Sequence, residues 1–239
     1  MPRYAFAAIF VSGLLALGTL AACGGGSSIN GDVSVAAGQT AGDVATVNGS
    51  VNVGDGATVG GAMTVNGGVT LGANVTAKSV KTVNGEVRLG EAAKVSGGVL
   101  SVNGALTLEK GADVSGKIAN VNGDIQLTTA HVGGGITTIN GDIEVGRDSR
   151  VEGGIHVDKP DFSGDMKNTR VPRIVIGPGA VVQGPLLFER AVKLYVSDSA
   201  QIGPVEGATP ELFSGEQPGD VVQAADAGTA AATGGPEKE

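Results

Sequence analysis

Tryptophan is missing from this 239-residue chain, and the other aromatics are scarce: two Tyr and five Phe. A conventional globular core of this length uses more aromatic bulk, so any interior must be narrow and filled by Val, Leu, Ile and Ala. Cysteine occurs once, at Cys23, which excludes an internal disulfide framework. Histidine occurs only at His131 and His156, which leaves little material for a histidine general base. Basic residues are outnumbered, 16 against 24 acidic, and the net charge of −8 disfavours nucleic acid or anionic headgroups as partners.

What the chain has in excess is glycine, 42 residues, with nine prolines beside them. That composition alone would suggest low complexity. A strict period argues otherwise. Asn-Gly recurs at Asn30, Asn48, Asn66, Asn84, Asn103, Asn122 and Asn140, at intervals of 18, 18, 18, 19, 19 and 18 residues. A fixed short period over this distance is the signature of a solenoid, whose stacked coils offer long flat faces rather than one deep catalytic pocket.

One coil runs from Val47 to Thr64. Its apolar residues fall at coil positions 1, 5, 7, 11, 13 and 17, as pairs separated by one residue and repeated every six. The i, i+2 pair is strand periodicity, and three such pairs per coil predict three short strands and a triangular cross-section. Position 1 carries Ile29, Val47, Val65, Val83, Val102, Val121 and Ile139. Position 5 carries Val33, Val51, Val69, Val87, Leu106, Ile125 and Ile143. Position 7 carries Val35, Val53, Leu71, Leu89, Leu108, Leu127 and Val145. The expected fold is therefore all-β, a single-stranded parallel β-helix of about 18 residues per coil, with every one of these columns inside. About nine coils would make a rod about 43 Å long.

The seven Asn-Gly pairs are read as corners, two residues tolerant of positive φ, with the asparagine amides bonding to one another as a ladder. This accounts for all seven better than a sugar-binding or ice-binding row. The position after each Asn-Gly reads Asp32, Ser50, Gly68, Glu86, Ala105, Asp124 and Asp142, so no calcium-binding acidic ladder is expected and the acids are taken as a solvated face. No cofactor or metal is expected.

Seven coils occupy residues 29–157. Residues 158–172 carry no register and read as a loop leaving the rod. Two further coils resume over 173–207 and hold Phe188 and Tyr195, expected to cap the aliphatic column. Residues 208–239, rich in Ala, Gly, Pro and acids, read as a disordered acidic tail.

Residues 1–22 read as an export signal: Arg3, an apolar run from Tyr4 to Ala22, then small residues. The stretch Leu20-Ala21-Ala22-Cys23 resembles the lipobox of bacterial lipoproteins. The resemblance implies cleavage before Cys23, lipid on its sulfur, and a stable membrane anchor. Gly24 follows, not the aspartate associated with inner-membrane retention in enteric bacteria, so the outer membrane is expected, on its periplasmic or surface side. Residues 23–28 then form a flexible tether.

The run Ile176-Gly-Pro-Gly-Ala180-Val-Val-Gln-Gly and the Val-x-Gly-x-Val coils resemble bactofilins, bacterial proteins that polymerise from a right-handed triangular β-helix. The resemblance covers residues 29–205 and implies self-association, although bactofilins are mostly cytoplasmic. Hexads such as Leu71-Gly72-x-x-Val75 and Leu89-Gly90-x-x-Ala93 also resemble left-handed hexapeptide-repeat acyltransferases, so both hands remain open. Those enzymes need a histidine base in a cleft between subunits. His131 reads as outward and His156 as preceding the loop, neither beside a carboxylate, so a non-enzymatic protein is expected. The reading is a membrane-tethered structural scaffold that may be recast as an adhesin-like binder of a protein or glycan if it does not self-associate. Its expected partners are the membrane, through Cys23, and further copies stacked through coil ends.

Lipid attachment is directly testable. Cells given a radiolabelled fatty acid are expected to label the wild-type protein and not Cys23→Ser. Equal labelling of the two, or a mature protein that keeps Met1 by mass spectrometry, would rule out processing at the lipobox.

Overall fold

The computed structural model describes residues 26–160 and 170–218. The export signal, Cys23 and its lipid, most of the tether, the middle of the 158–172 segment and the tail beyond 218 lie outside the described residues.

Every described strand inside a sheet pairs in parallel with its equivalent one turn earlier and one turn later, and the end strands pair on one side, the arrangement of a β-solenoid. One sheet of ten strands runs from Ser27–Asn30 to Val205–Glu206, and a second sheet of ten runs from Val33–Val35 to Pro210–Phe213. The third has seven, from Thr76–Ala77 to Gln201–Ile202, extended at one end by the bridges Thr40↔Thr58 and Thr58↔Thr76. The register repeats the sequence period: Val51 pairs with Val69, and Val69 with Val87. Backbone groups are satisfied between turns, as where the Val51 N–H donates to Gly68 O at 2.9 Å.

The rod has ten passes through its two larger sheets rather than the nine expected. The extra pass comes from Pro210–Phe213, which pairs with Lys193–Ser197 inside the stretch read as tail. At the other end Ser27 and Ser28, read as tether, pair with Ala45 and Thr46. The excursion falls where expected: Ile155–Val157 ends one pass and Arg173–Ile176 begins the next.

Two of the three faces carry the expected core. Positions 5 and 7 form buried columns from Val51 and Val53 to Leu194 and Val196, and positions 11 and 13 form a column of smaller residues such as Ala57 and Val59 or Ala93 and Val95. The third face is shifted by one residue. Its buried positions are 16 and 18, occupied by Ala62 and Thr64, Val80 and Thr82, Val99 and Ser101, Ile118 and Asn120. The position-1 valines, Val47, Val65, Val83, Val102 and Val121, are only half-buried on the outer side, and Ile29 is 70% exposed.

The shift has a local cause. Spacing along the coil is not uniform: the Gly60-Gly61 corner is short and the Asn66-Gly67 corner long, so the third strand begins one residue early. A polar column can then occupy the interior because each hydroxyl has a partner. Thr46, Thr64 and Thr82 donate to the carbonyls of Gly31, Gly49 and Gly67 at 2.9, 2.8 and 3.0 Å, one turn back at the Asn-Gly corner. Asn120 reaches both Gly104 O and Gly123 O at 2.9 Å. Ser101 is the exception, its hydroxyl buried without a partner.

The cap also differs. Phe188 is buried within the column, but Tyr195 lies on the outer face, with the Arg173 guanidinium 5.3 Å from its ring centroid. Phe213 is buried in the last pass instead. Beyond it the chain turns back along the side of the rod, where Ser214 Oγ donates to Asp198 Oδ2 at 2.9 Å and Glu216 pairs with Arg147.

Three substitutions test this interior. Val87→Asp puts a carboxylate at a fully buried position and is expected to cost several kcal/mol. Thr82→Val removes one corner bond and is expected to cost about 1 kcal/mol, while Ser101→Ala, which loses no bond, is expected to be neutral or stabilising. Urea unfolding checks all three. Equal midpoints for Thr82→Val and Ser101→Ala would mean that the inward hydroxyls do not hold the corner.

Candidate functional site

The sides of the rod hold shallow concavities rather than a cleft. One depression of about 240 Å³ lies against Gln126, Glu144, Arg173 and Val175, and another of about 150 Å³ lies over Gly134, Gly153, His156 and Leu187.

The Asn-Gly corners form one continuous feature. Each asparagine Nδ2 donates to the Oδ1 one turn earlier: Asn48 to Asn30 at 2.8 Å, Asn66 to Asn48 at 2.9 Å, Asn84 to Asn66 at 3.0 Å, Asn103 to Asn84 and Asn122 to Asn103 at 2.9 Å, and Asn140 to Asn122 at 2.8 Å. Arg190 closes the series, donating to Asn140 Oδ1 at 2.6 Å, Ile139 O at 2.9 Å and Arg170 O at 3.0 Å. The ladder thus uses each amide as donor and acceptor along its length and ends on a cation.

The division of labour within Asn-Gly differs from the expectation. The positive-φ residues other than glycine are Asn74, Ala92, Thr129 and Asp148, none of them in the ladder. Asn30, Asn48, Asn66 and Asn84 end extended strands, and it is the following glycine that takes the unusual conformation, with φ of 156° at Gly67. A Cβ on Gly67 would also fall on the carbonyl of Gly49 in the turn before. Close approach between turns is what requires glycine there.

Several acids are more than a solvated face. Asp32, Asp43 and Asp55 accept the backbone N–H of Ser50, Gly61 and Ala73, each one turn later, at 2.7, 2.6 and 2.9 Å. Asp142 does the same across the excursion, accepting from Arg173 N at 2.9 Å while Arg170 reaches its other oxygen at 2.5 Å. These carboxylates stitch turn to turn.

Both histidines sit beside carboxylates, contrary to the expectation. His131 points outward between neighbouring turns, with Nδ1 2.7 Å from Asp113 Oδ1 and Nε2 3.4 Å from Glu152 Oε1. Arg150 Nε also approaches Glu152 Oε1 at 3.3 Å. Hydrogen bonding from Arg150, and next from His131, lowers the Glu152 carboxyl below its ordinary range. His156 Nε2 lies 3.1 Å from Asp158 Oδ1 and 3.8 Å from Glu189 Oε1. Most of these neighbours are adjacent across turns, His131 and Asp113 being one period, 18 residues, apart, whereas Asp158 lies two residues from His156 and is legible from strand alternation alone. Applying the period to polar as well as apolar positions would have found them.

No protein-family model, curated protein or solved structure matches the chain.

The depressed Glu152 carboxyl carries a pH consequence. Its ion contributes stability above the ordinary carboxyl range, and that contribution disappears as pH falls through the lowered folded value. Glu152→Gln is expected to melt slightly below wild type at pH 7 and to converge with it as pH falls through the lowered carboxyl value. A gap that stays constant over that range would mean that the Arg150–Glu152–His131 contacts do not act through the charge.

Proposed function

We propose that this chain is a non-enzymatic, lipid-tethered β-solenoid of the bacterial cell envelope, a structural scaffold that associates with further copies through its N-terminal coil. The observation that carries the reading is the difference between the two ends of the rod. The first strands, Ser27–Asn30 and Val33–Val35, are edge strands without a Pro or a charged residue, and Ile29 beside them is 70% exposed. An uncovered edge of that kind is a template for another chain. The last strand, Pro210–Phe213, also bares an aliphatic, Leu212 at 75%, but it includes Pro210, which has no amide to donate, and the charged Glu211. Both are devices that blunt an edge.

The Leu20-Ala-Ala-Cys23 motif supports the lipid tether, and the likeness of the coils to bactofilins supports self-association. A coil-end contact between two identical N-terminal edges would be two-fold and self-limiting, giving head-to-head pairs rather than open filaments.

Sedimentation velocity on a chain starting at residue 23, with Cys23→Ser, tests this. The sedimentation coefficient is expected to rise with concentration, and the rise is expected to be lost in Ser34→Lys and in Ile29→Lys. A strict monomer at high concentration would overturn the scaffold and favour a surface binder of the adhesin kind. Acyl transfer that depends on His131 or His156 would overturn both.

A further inference from the structure

The outward column at coil position 1 is aliphatic for seven turns, from Ile29 to Ile139. At the eighth and ninth it changes character. Thr137 pairs with His156 and Thr138 with Val157, so Asp158 follows in the column of Ile139. Val157 pairs with Phe188 and the Glu189 N–H donates to Val157 O at 2.9 Å, so Glu189 follows Asp158. His156 lies two residues before Asp158 on the strand and so shares its outward side. Parallel pairing therefore brings one imidazole and two carboxylates together at the end of the strand Ile155–Val157.

We propose that His156, Asp158 and Glu189 bind a divalent transition-metal ion of the zinc type, clipping two successive turns together at the end of that strand. One candidate ligand atom from each residue lies within 4.8 Å of the others. Around an ion bound at about 2.0–2.2 Å, neighbouring ligand atoms stand about 3–3.5 Å apart. The His156 Nε2 distance of 3.1 Å to Asp158 falls within that spacing, and the 3.8 Å to Glu189 is slightly wider.

The simpler arrangement, an imidazolium hydrogen-bonded to a carboxylate, does not describe the geometry. His156 Nε2 is buried and has no hydrogen-bond partner although Asp158 Oδ1 is 3.1 Å away. The ring nitrogen is thus close to the oxygen without being aligned on it, as when both are directed at a third point. The imidazole side chain is 37% exposed, and the shallow depression over Gly134 and Gly153 reaches it, so an ion has a path in. The donor set selects the metal class: an imidazole nitrogen suits zinc and its neighbours better than magnesium or calcium, and the absence of thiolate disfavours copper(I).

The test is calorimetric titration of the full chain, purified in mild detergent without a histidine tag, with Zn²⁺ and separately with Mg²⁺. A single equivalent of Zn²⁺ is expected to bind and to raise the melting temperature, with no comparable Mg²⁺ binding. Affinity is expected to fall at least about ten-fold in His156→Gln and in the Asp158→Asn, Glu189→Gln pair, and to be unchanged in His131→Gln. These positions are outward, and circular dichroism confirms that each variant keeps the wild-type strand content. No stoichiometric Zn²⁺ binding, binding unaffected by the His156 and carboxylate variants, loss in His131→Gln instead, or equal binding of Mg²⁺ would each overturn the site.

Discussion

Everything in this molecule depends on one constraint: backbone hydrogen bonds between turns hold each strand residue in register beside its own equivalent one turn away. With strands about 4.8 Å apart, no side chain can avoid the side chain of the same coil position in the next turn. A residue is therefore chosen for how it stacks on copies of itself. Aliphatics stack into a core column. Asparagine stacks as well, because its amide donates on one side and accepts on the other, so Asn30 to Asn140 form a continuous series that Arg190 closes at its far end. Opposite charges stack as well: Lys94 and Asp113 follow one another in register.

The same constraint explains why polar groups enter the interior. The wide Asn-Gly corner leaves a carbonyl facing inward, and at three of them, Gly31, Gly49 and Gly67, a threonine one turn later supplies the hydroxyl that satisfies it. A valine there would fill the space equally well and leave the carbonyl bare, which is the costlier state. Glycine at the corner is required for a related reason, since a side chain would occupy the place of the carbonyl from the turn before. Threonine and glycine form one device, repeated turn by turn.

This device marks the limit of what could be read without coordinates. The period, the three-strand coil and the two aliphatic faces at positions 5, 7, 11 and 13 were legible because burial and hydrophobicity agree there. At the third face they disagree. Val65 is more apolar than Thr64, yet Thr64 is inside, because its hydrogen bond across the turn is invisible to a rule that ranks residues one at a time. Phe213 was hidden for a different reason, lying within a stretch whose composition resembles a linker. The histidine clusters were missed because most of their members are remote in sequence: Glu189 is 33 residues from His156 and one strand away in space, and only Asp158, two residues on, was within reach of strand alternation.

In a stacked repeat, function is expected where the stacking rule is broken, because an unbroken column does nothing that its neighbours do not. The position-1 column is broken once among the described turns, at Asp158 and Glu189, and the asparagine ladder ends beside it on Arg190. Both changes fall at the excursion, where the chain must leave the rod and re-enter it in register. Re-entry carries a loop-closure cost that grows only slowly with loop length, so its stability rests on what fixes the two ends. Arg190 ties Asn140 to Arg170 across the gap, and Asp142 ties to both Arg170 and Arg173. A metal at His156, Asp158 and Glu189 would be a third tie at the same base. These ties put the most specialised side chains of the rod at one place, and they make the excursion a feature the rod is built to hold rather than an interruption it tolerates.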